Sequence, residues 1–116
     1  MATIVVMEDD PIVRDLVGRV LEMKGFTVHT FEDAKPALET VDFEQVDLVI
    51  TDLQMPTPGE EAIRAIRRRG IQTPILVMSG YIDAAKEDEL NALGVQDIVK
   101  KPFKLLDLLT AVQKWI

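Results

Sequence analysis

Residues 47–56 read Asp47-Leu48-Val49-Ile50-Thr51-Asp52-Leu53-Gln54-Met55-Pro56. Leu48, Val49 and Ile50 run together without polar alternation, so a strand here must be covered on both faces, as in a parallel sheet. Three further segments repeat the pattern: Thr3-Ile4-Val5-Val6-Met7, Pro74-Ile75-Leu76-Val77-Met78 and Gln96-Asp97-Ile98-Val99. A fifth, Phe26-Thr27-Val28-His29-Thr30, alternates apolar and polar and suits an edge strand.

Helical patterns fill the gaps. Asp10-Pro11 offers an N-cap followed by proline at the first helical position. Ile12, Leu16, Val20 and Met23 then recur at helical spacing until Gly25. Asp33 to Val41 predicts a short second helix, Glu60 to Arg69 a third, and Asp83 to Leu93 a fourth that stops before Gly94. Leu105, Leu108, Leu109, Val112 and Ile116 give the stripe of a fifth. The order βαβαβαβαβα predicts a doubly wound α/β domain, with parallel strands joined by right-handed crossovers and helices on both faces.

Composition bounds the chemistry. The 116 residues suit one domain spanning 1–116, with no linker or repeat. With 20 acidic and 13 basic residues the formal charge is −7. That surplus argues against direct nucleic-acid binding, which needs cations to neutralise phosphates. Cysteine is absent, so a bound metal must use oxygen ligands or the lone His29. No apolar run approaches the ~20 residues of a membrane span. The N-terminus has no basic region and reaches Glu8 too early for a signal peptide, so the expected location is the cytosol.

In such sheets the ligand site lies beyond the carboxyl ends of the strands. Glu8, Asp9 and Asp10 follow the first strand, Asp52 the third, Ser79-Gly80 the fourth and Lys100-Lys101-Pro102-Phe103 the fifth. Singly these are helix caps, Asx-turns and surface loops. Together they place three carboxylates, a hydroxyl and an ammonium at one end of one sheet. Carboxylates a few ångströms apart repel by roughly 4 kcal/mol per pair at an effective dielectric near 20, which a bound cation relieves. All-oxygen ligation favours magnesium, or manganese in its place. A metal, a lysine and a small hydroxyl around one carboxylate meet the needs of phosphoryl transfer to that carboxylate.

Four motifs carry a family resemblance: Val5-Val6-Met7-Glu8-Asp9-Asp10-Pro11, residues 47–56, Pro74-Ile75-Leu76-Val77-Met78-Ser79-Gly80 and Lys100-Lys101-Pro102-Phe103. In order and spacing, over essentially the whole chain, the protein resembles the receiver domain of two-component response regulators, similar to the chemotaxis regulators. The resemblance implies the flavodoxin-like fold with strand order 2-1-3-4-5. It implies that Asp52 accepts a phosphoryl group from a histidine kinase or a histidine phosphotransfer protein. Asp9 and Asp52 would ligate magnesium directly, Glu8 through water and Gln54 through its backbone carbonyl, leaving Asp10 as helix cap. Ser79 would bond a phosphoryl oxygen as the switch hydroxyl, and Lys101 would pair with Asp52 or its phosphate. Gln54, Gly80 and Tyr81 fall where the family tunes phosphate lifetime, and bulky Tyr81 would shield the acyl phosphate from water. Such a domain catalyses its own phosphorylation and dephosphorylation and turns over no separate substrate. Its output partner or domain, or a second copy in a dimer, would meet the fourth helix, fifth strand and fifth helix. A chain that stops after the fifth helix favours a receiver belonging to a larger regulator or hybrid histidine kinase over a stand-alone one.

Two departures stand out. Only Thr57-Pro58 separates Met55-Pro56 from Gly59, one residue fewer than the family usually has. At the switch position on the fifth strand the family's common aromatic is replaced by Ile98, so a rotating-ring switch coupled to Ser79 cannot operate as usual. These departures sustain one rival reading, a phosphorylation-independent receiver-like binding module. A phosphatase with an aspartyl nucleophile would want a second acid two residues on, where Gln54 stands. Arg64, Arg67, Arg68 and Arg69 read as a basic complement to a helix carboxyl end. Trp115 reads as an anchor of the last helix and Met55 as a loop packing residue.

Overall fold

A computed structural model describes residues 2–116. The strands are β1 (Thr3–Met7), β2 (Thr27–Phe31), β3 (Leu48–Asp52), β4 (Ile75–Ser79) and β5 (Asp97–Lys100). They form one parallel sheet in the order β2-β1-β3-β4-β5, as the family resemblance implied. The helices are α1 (Pro11–Met23), α2 (Ala34–Thr40), α3 (Gly59–Arg68), α4 (Ala84–Ala92) and α5 (Leu105–Trp115). A single 3-10 turn, Phe43–Gln45, precedes β3 and was not anticipated.

Strand alternation divides the core in two. Ile4, Val6, Leu48, Ile50, Leu76 and Met78 meet Val17 and Leu21 of α1 and Leu108 and Val112 of α5. On the opposite face Val5, Met7, Val49, Ile75 and Val77 meet Ala37 of α2, Ile63 and Ile66 of α3 and Leu90 of α4. The central strands are buried along their whole length, which is why their sequences lack alternation.

Four strands lie one residue later than the sequence suggested. Pro74 has no N–H to donate to a ladder, whereas Asp52 pairs with Met78 and Ser79 with Lys100 at the far end. Asp52 and Ser79 therefore close their strands rather than follow them.

The apolar stripe read on α1 is also corrected. Ile12 and Met23 are 78% and 85% exposed and Leu16 is exposed, while Val13, Val17 and Leu21 face the sheet. Two adjacent rows of α1 are apolar, and periodicity alone cannot choose between them. Gly25, Gly70 and Gly94 adopt positive φ where α1, α3 and α4 end.

The arginines do more than face a helix end. Arg67 donates to the carbonyls of Ile71 and Thr73 (both 2.9 Å), Leu93 (3.1 Å) and Gly94 (2.9 Å), knitting the end of α3 to the end of α4. Arg69 bonds Leu38 O and lies over the Phe43 ring. Leu90 is the one buried residue of α4, whose polar side is tied down by Arg64–Glu89, Lys86–Glu60 and Lys86–Glu89 ion pairs. Trp115 packs half-buried against the α1/α5 core, as an anchor should. His29 is exposed on the edge strand and Met55 is buried.

Candidate functional site at the carboxyl end of the sheet

β1 and β3 are neighbours, so Glu8 and Asp9, just past β1, come beside Asp52 at the tip of β3. One carboxylate oxygen from each of Glu8, Asp9 and Asp52 lies within 4.8 Å of the others. Glu8 is fully buried, Asp52 is nearly so, and Asp9 faces solvent. Asp10 stands apart as the cap of α1, accepting from Ile12 N (2.9 Å) and Val13 N (3.4 Å).

Each buried acid is held by its backbone surroundings. Asp52 Oδ1 accepts from Leu53 N (2.7 Å) and Gln54 N (3.3 Å). Its Oδ2 faces Lys101 Nζ at 3.3 Å. Glu8 Oε2 accepts from Asp10 N (3.1 Å), and Oε1 receives a hydrogen bond from Lys101 Nζ. Arg14 donates to the carbonyl of Glu8 (2.9 Å), bracing the turn from beneath.

Lys101 arrives from the β5–α5 connection, its N–H bonded to Ser79 O at 2.8 Å. Ser79 is buried, and its hydroxyl donates to Tyr81 O at 3.2 Å. Gly80 and Tyr81 are exposed just beyond it. Gln54 is exposed and Ile98 half-buried against the α2–α4 core.

The charges are shifted accordingly. Burial pushes the Glu8 carboxyl up to about 7, with the bonds from Lys101 and Asp10 N opposing the rise and Asp52 adding to it. Burial works against the Lys101 ammonium, but its bond to Glu8 and the charges of Asp52 and Glu8 prevail and hold its pKa above the usual lysine value. One ammonium, paired with Glu8 and Asp52, thus serves a cluster of three carboxyl groups. The donor set is all oxygen, close enough to converge on one ion, and undercompensated, which fits a hard divalent cation.

Glu8, Asp9, Asp52, Gln54, Ser79, Gly80, Tyr81 and Lys101, the residues given site roles from the sequence, lie on or beside this end of the sheet, whereas Ile98 lies along β5. Sequence reasoning missed Asp33. It caps α2 through Lys35 N (3.2 Å) and accepts from both Thr57 N (2.7 Å) and Thr57 Oγ1 (2.8 Å) in the shortened loop. Partial burial notwithstanding, those bonds hold its carboxyl below the ordinary aspartate value. The capping role was legible in Asp33-Ala34, but nothing local pointed to Thr57, 24 residues away.

A family model of the response regulator receiver domain matches residues 4–113. The nisin biosynthesis regulatory protein NisR of Lactococcus lactis is 34% identical over 113 residues, covering 95% of this chain and 48% of its own length. The transcriptional regulatory protein FixJ of Bradyrhizobium diazoefficiens is 34% identical over 110 residues, covering 94% and 53%. The chain spans about half the length of such curated relatives. Among solved structures, chemotaxis protein CheY4 of Vibrio cholerae superposes with a TM-score of 0.93 at 29% identity, covering 100% of this chain and 99% of that one. Response regulator TrrA of Thermotoga maritima, solved in complex with Mg(2+)-BeF, gives 0.86 at 28% identity, with full coverage of both chains. No helix among the described residues is long and apolar enough to cross a membrane. On fold, motif order and relatives together, the chain belongs to the response regulator receiver domain family of two-component systems.

Proposed function

We propose that residues 1–116 form one receiver domain that acts as a cation-dependent phospho-acceptor switch, with Asp52 as the acceptor. The observation that carries this reading is the convergence of Glu8, Asp9 and Asp52 within 4.8 Å beside a single lysine. Asp9 and Asp52 would hold magnesium directly, Glu8 through water and Gln54 through its carbonyl. Bound there, the ion supplies charge neutralisation to the phosphoryl oxygens. Crystallisation of the similar TrrA with Mg(2+)-BeF supports the assignment.

The chain's own residues do the rest. An Asp52 carboxylate oxygen attacks phosphorus in line, forming an acyl phosphate as the donor's P–N bond breaks and its imidazole leaves with the electron pair. Leu53 N and Gln54 N orient the carboxylate, and Lys101 Nζ, now facing Oδ2, meets a phosphoryl oxygen. Ser79 can exchange its bond to Tyr81 O for one to the phosphoryl group, coupling the β4–α4 connection to phosphorylation. Gln54, Gly80 and Tyr81 flank the acyl phosphate and set its lifetime against water.

Donor and output follow from the family. A histidine kinase or phosphotransfer protein supplies the phosphoryl group. An output domain or partner, or a second copy, reads α4, β5 and α5 in the cytoplasm, with Ile98 as a non-aromatic switch position. The domain promotes its own phosphorylation and dephosphorylation without turning over a separate substrate.

Intact mass after incubation with acetyl phosphate tests this. Wild type should gain one phosphoryl group with magnesium and none with a chelator, and Asp52→Asn should gain none. An Asp52→Asn protein that takes up the same adduct would overturn the assignment.

A further inference from the structure

We propose that Asp33 is a positioning residue for the cation site: through Thr57 it fixes the loop that carries Gln54, and thereby sets how tightly the acidic cluster holds a divalent ion. The inference rests on the metal reading above.

The loop between β3 and α3 spans residues 53–58. Its front is fixed by Asp52, whose Oδ1 accepts from Leu53 N and Gln54 N. Its back is closed by Gly59 N on Leu53 O (3.0 Å), at a point so tight that a β-carbon on Gly59 would sit 2.2 Å from Asp52 O. Between these points the chain is stiff. Pro56 and Pro58 lock their own φ, and Met55 and Thr57, each preceding a proline, are confined to extended backbone.

Asp33 grips the one polar residue in that span. Both of its oxygens are used, Oδ1 on Thr57 N and Oδ2 on Thr57 Oγ1, so its carboxylate cannot swing. Asp33 is itself rooted at the start of α2. Only Met55 and Pro56 separate Thr57 from Gln54, and Met55 is buried. A stiff, doubly anchored loop passes a displacement of Thr57 on to Gln54 instead of absorbing it. The cleft between α2 and this loop, about 460 Å³, is lined by Asp9, Asp33 and Pro56, so the tether borders the cation site directly. With one residue fewer than the family usually has, the loop has little slack, and the Asp33–Thr57 bonds decide where its carbonyls point.

Calorimetric titration of the chain with magnesium chloride tests this at a temperature where every variant is folded. Asp33→Ala should bind roughly tenfold more weakly, as loss of a partner behind a metal ligand typically does. Because that change also removes the α2 cap, Thr57→Val serves as a second variant. It keeps the cap and the N–H bond, loses the hydroxyl bond, and should weaken binding by about threefold, with Thr57→Ser restoring wild-type affinity. The double variant should bind no more weakly than Asp33→Ala alone. Asp33→Ala and Thr57→Val affinities within twofold of wild type, with Asp9→Asn abolishing binding, would overturn the tether and leave the metal reading intact. Equal binding by wild type and Asp9→Asn would overturn both.

Discussion

Acids and bases meet in two places in this molecule, and they meet on different terms. Across α3 and α4, Glu60, Lys86, Glu89 and Arg64 form a chain of two acids and two bases, partly open to solvent. At the carboxyl end of the sheet three carboxyl groups, one of them fully buried, cluster beside one ammonium that pairs with Glu8 and Asp52. The first arrangement is neutral and needs nothing more. The second is short of positive charge in a place where water screens poorly, and that shortage is what a bound divalent cation would relieve. The cluster sits at the ends of two neighbouring strands, β1 and β3, that are buried over nearly their whole length.

Lys101→Met should give the largest effect on stability. It leaves Glu8 buried without its partner, which typically costs about 3–5 kcal/mol when the acid stays ionised. The loss of melting temperature should be larger at pH 8 than at pH 5.5, where Glu8 can take a proton. Equal losses at both values would mean that Glu8 and Lys101 do not depend on each other.

Next comes the pH dependence of the cation-free protein. The Glu8 carboxyl is raised from 4.5 to about 7 on folding, so the folded state binds more protons than the unfolded state between those values. Stability should therefore fall as pH rises from 4.5 to 7, by several degrees in melting temperature, and Glu8→Gln should flatten that limb. Asp33 acts in the opposite sense. Its pKa lies below 3.8 when folded, so its contribution is complete above that value and is lost as pH falls through the folded pKa. Thermal melts in chelator across pH 3 to 8 resolve both limbs.

Tyr81→Ala should shorten the life of the acyl phosphate by roughly threefold if the exposed ring screens it from water, read as loss of the phosphoryl mass with time. The smallest effect belongs to the balanced region. Lys86→Ala should cost at most about 1 kcal/mol, less in high salt, because partly exposed ion pairs are worth little. A cost as large as that of Lys101→Met would erase the contrast between the two regions.

Much of this arrangement was legible in the chain. Unbroken runs such as Leu48–Ile50 demand burial on both faces, and the acids at strand ends become neighbours as soon as β1 and β3 are. What stayed hidden was set by long-range contact. Two apolar rows on α1 satisfy the same periodicity, and only packing against the sheet selects Val13, Val17 and Leu21 over Ile12, Leu16 and Met23. The arginines of α3 look like a helix-end charge complement until the carbonyls of Leu93 and Gly94 come within reach of Arg67. Asp33 reads as a cap because its second partner, Thr57, lies in a loop whose path depends on the whole β3–α3 connection.

The most direct test of the charge shortage is a melting curve with increasing magnesium chloride, for wild type and Asp9→Asn. Without the ion, Asp9→Asn should melt above wild type, because one repelling charge is gone. At tenfold excess over the dissociation constant, wild type should rise by about 5 °C and the variant should not move. Equal shifts in the two proteins, or a variant that melts below wild type without the ion, would contradict the account.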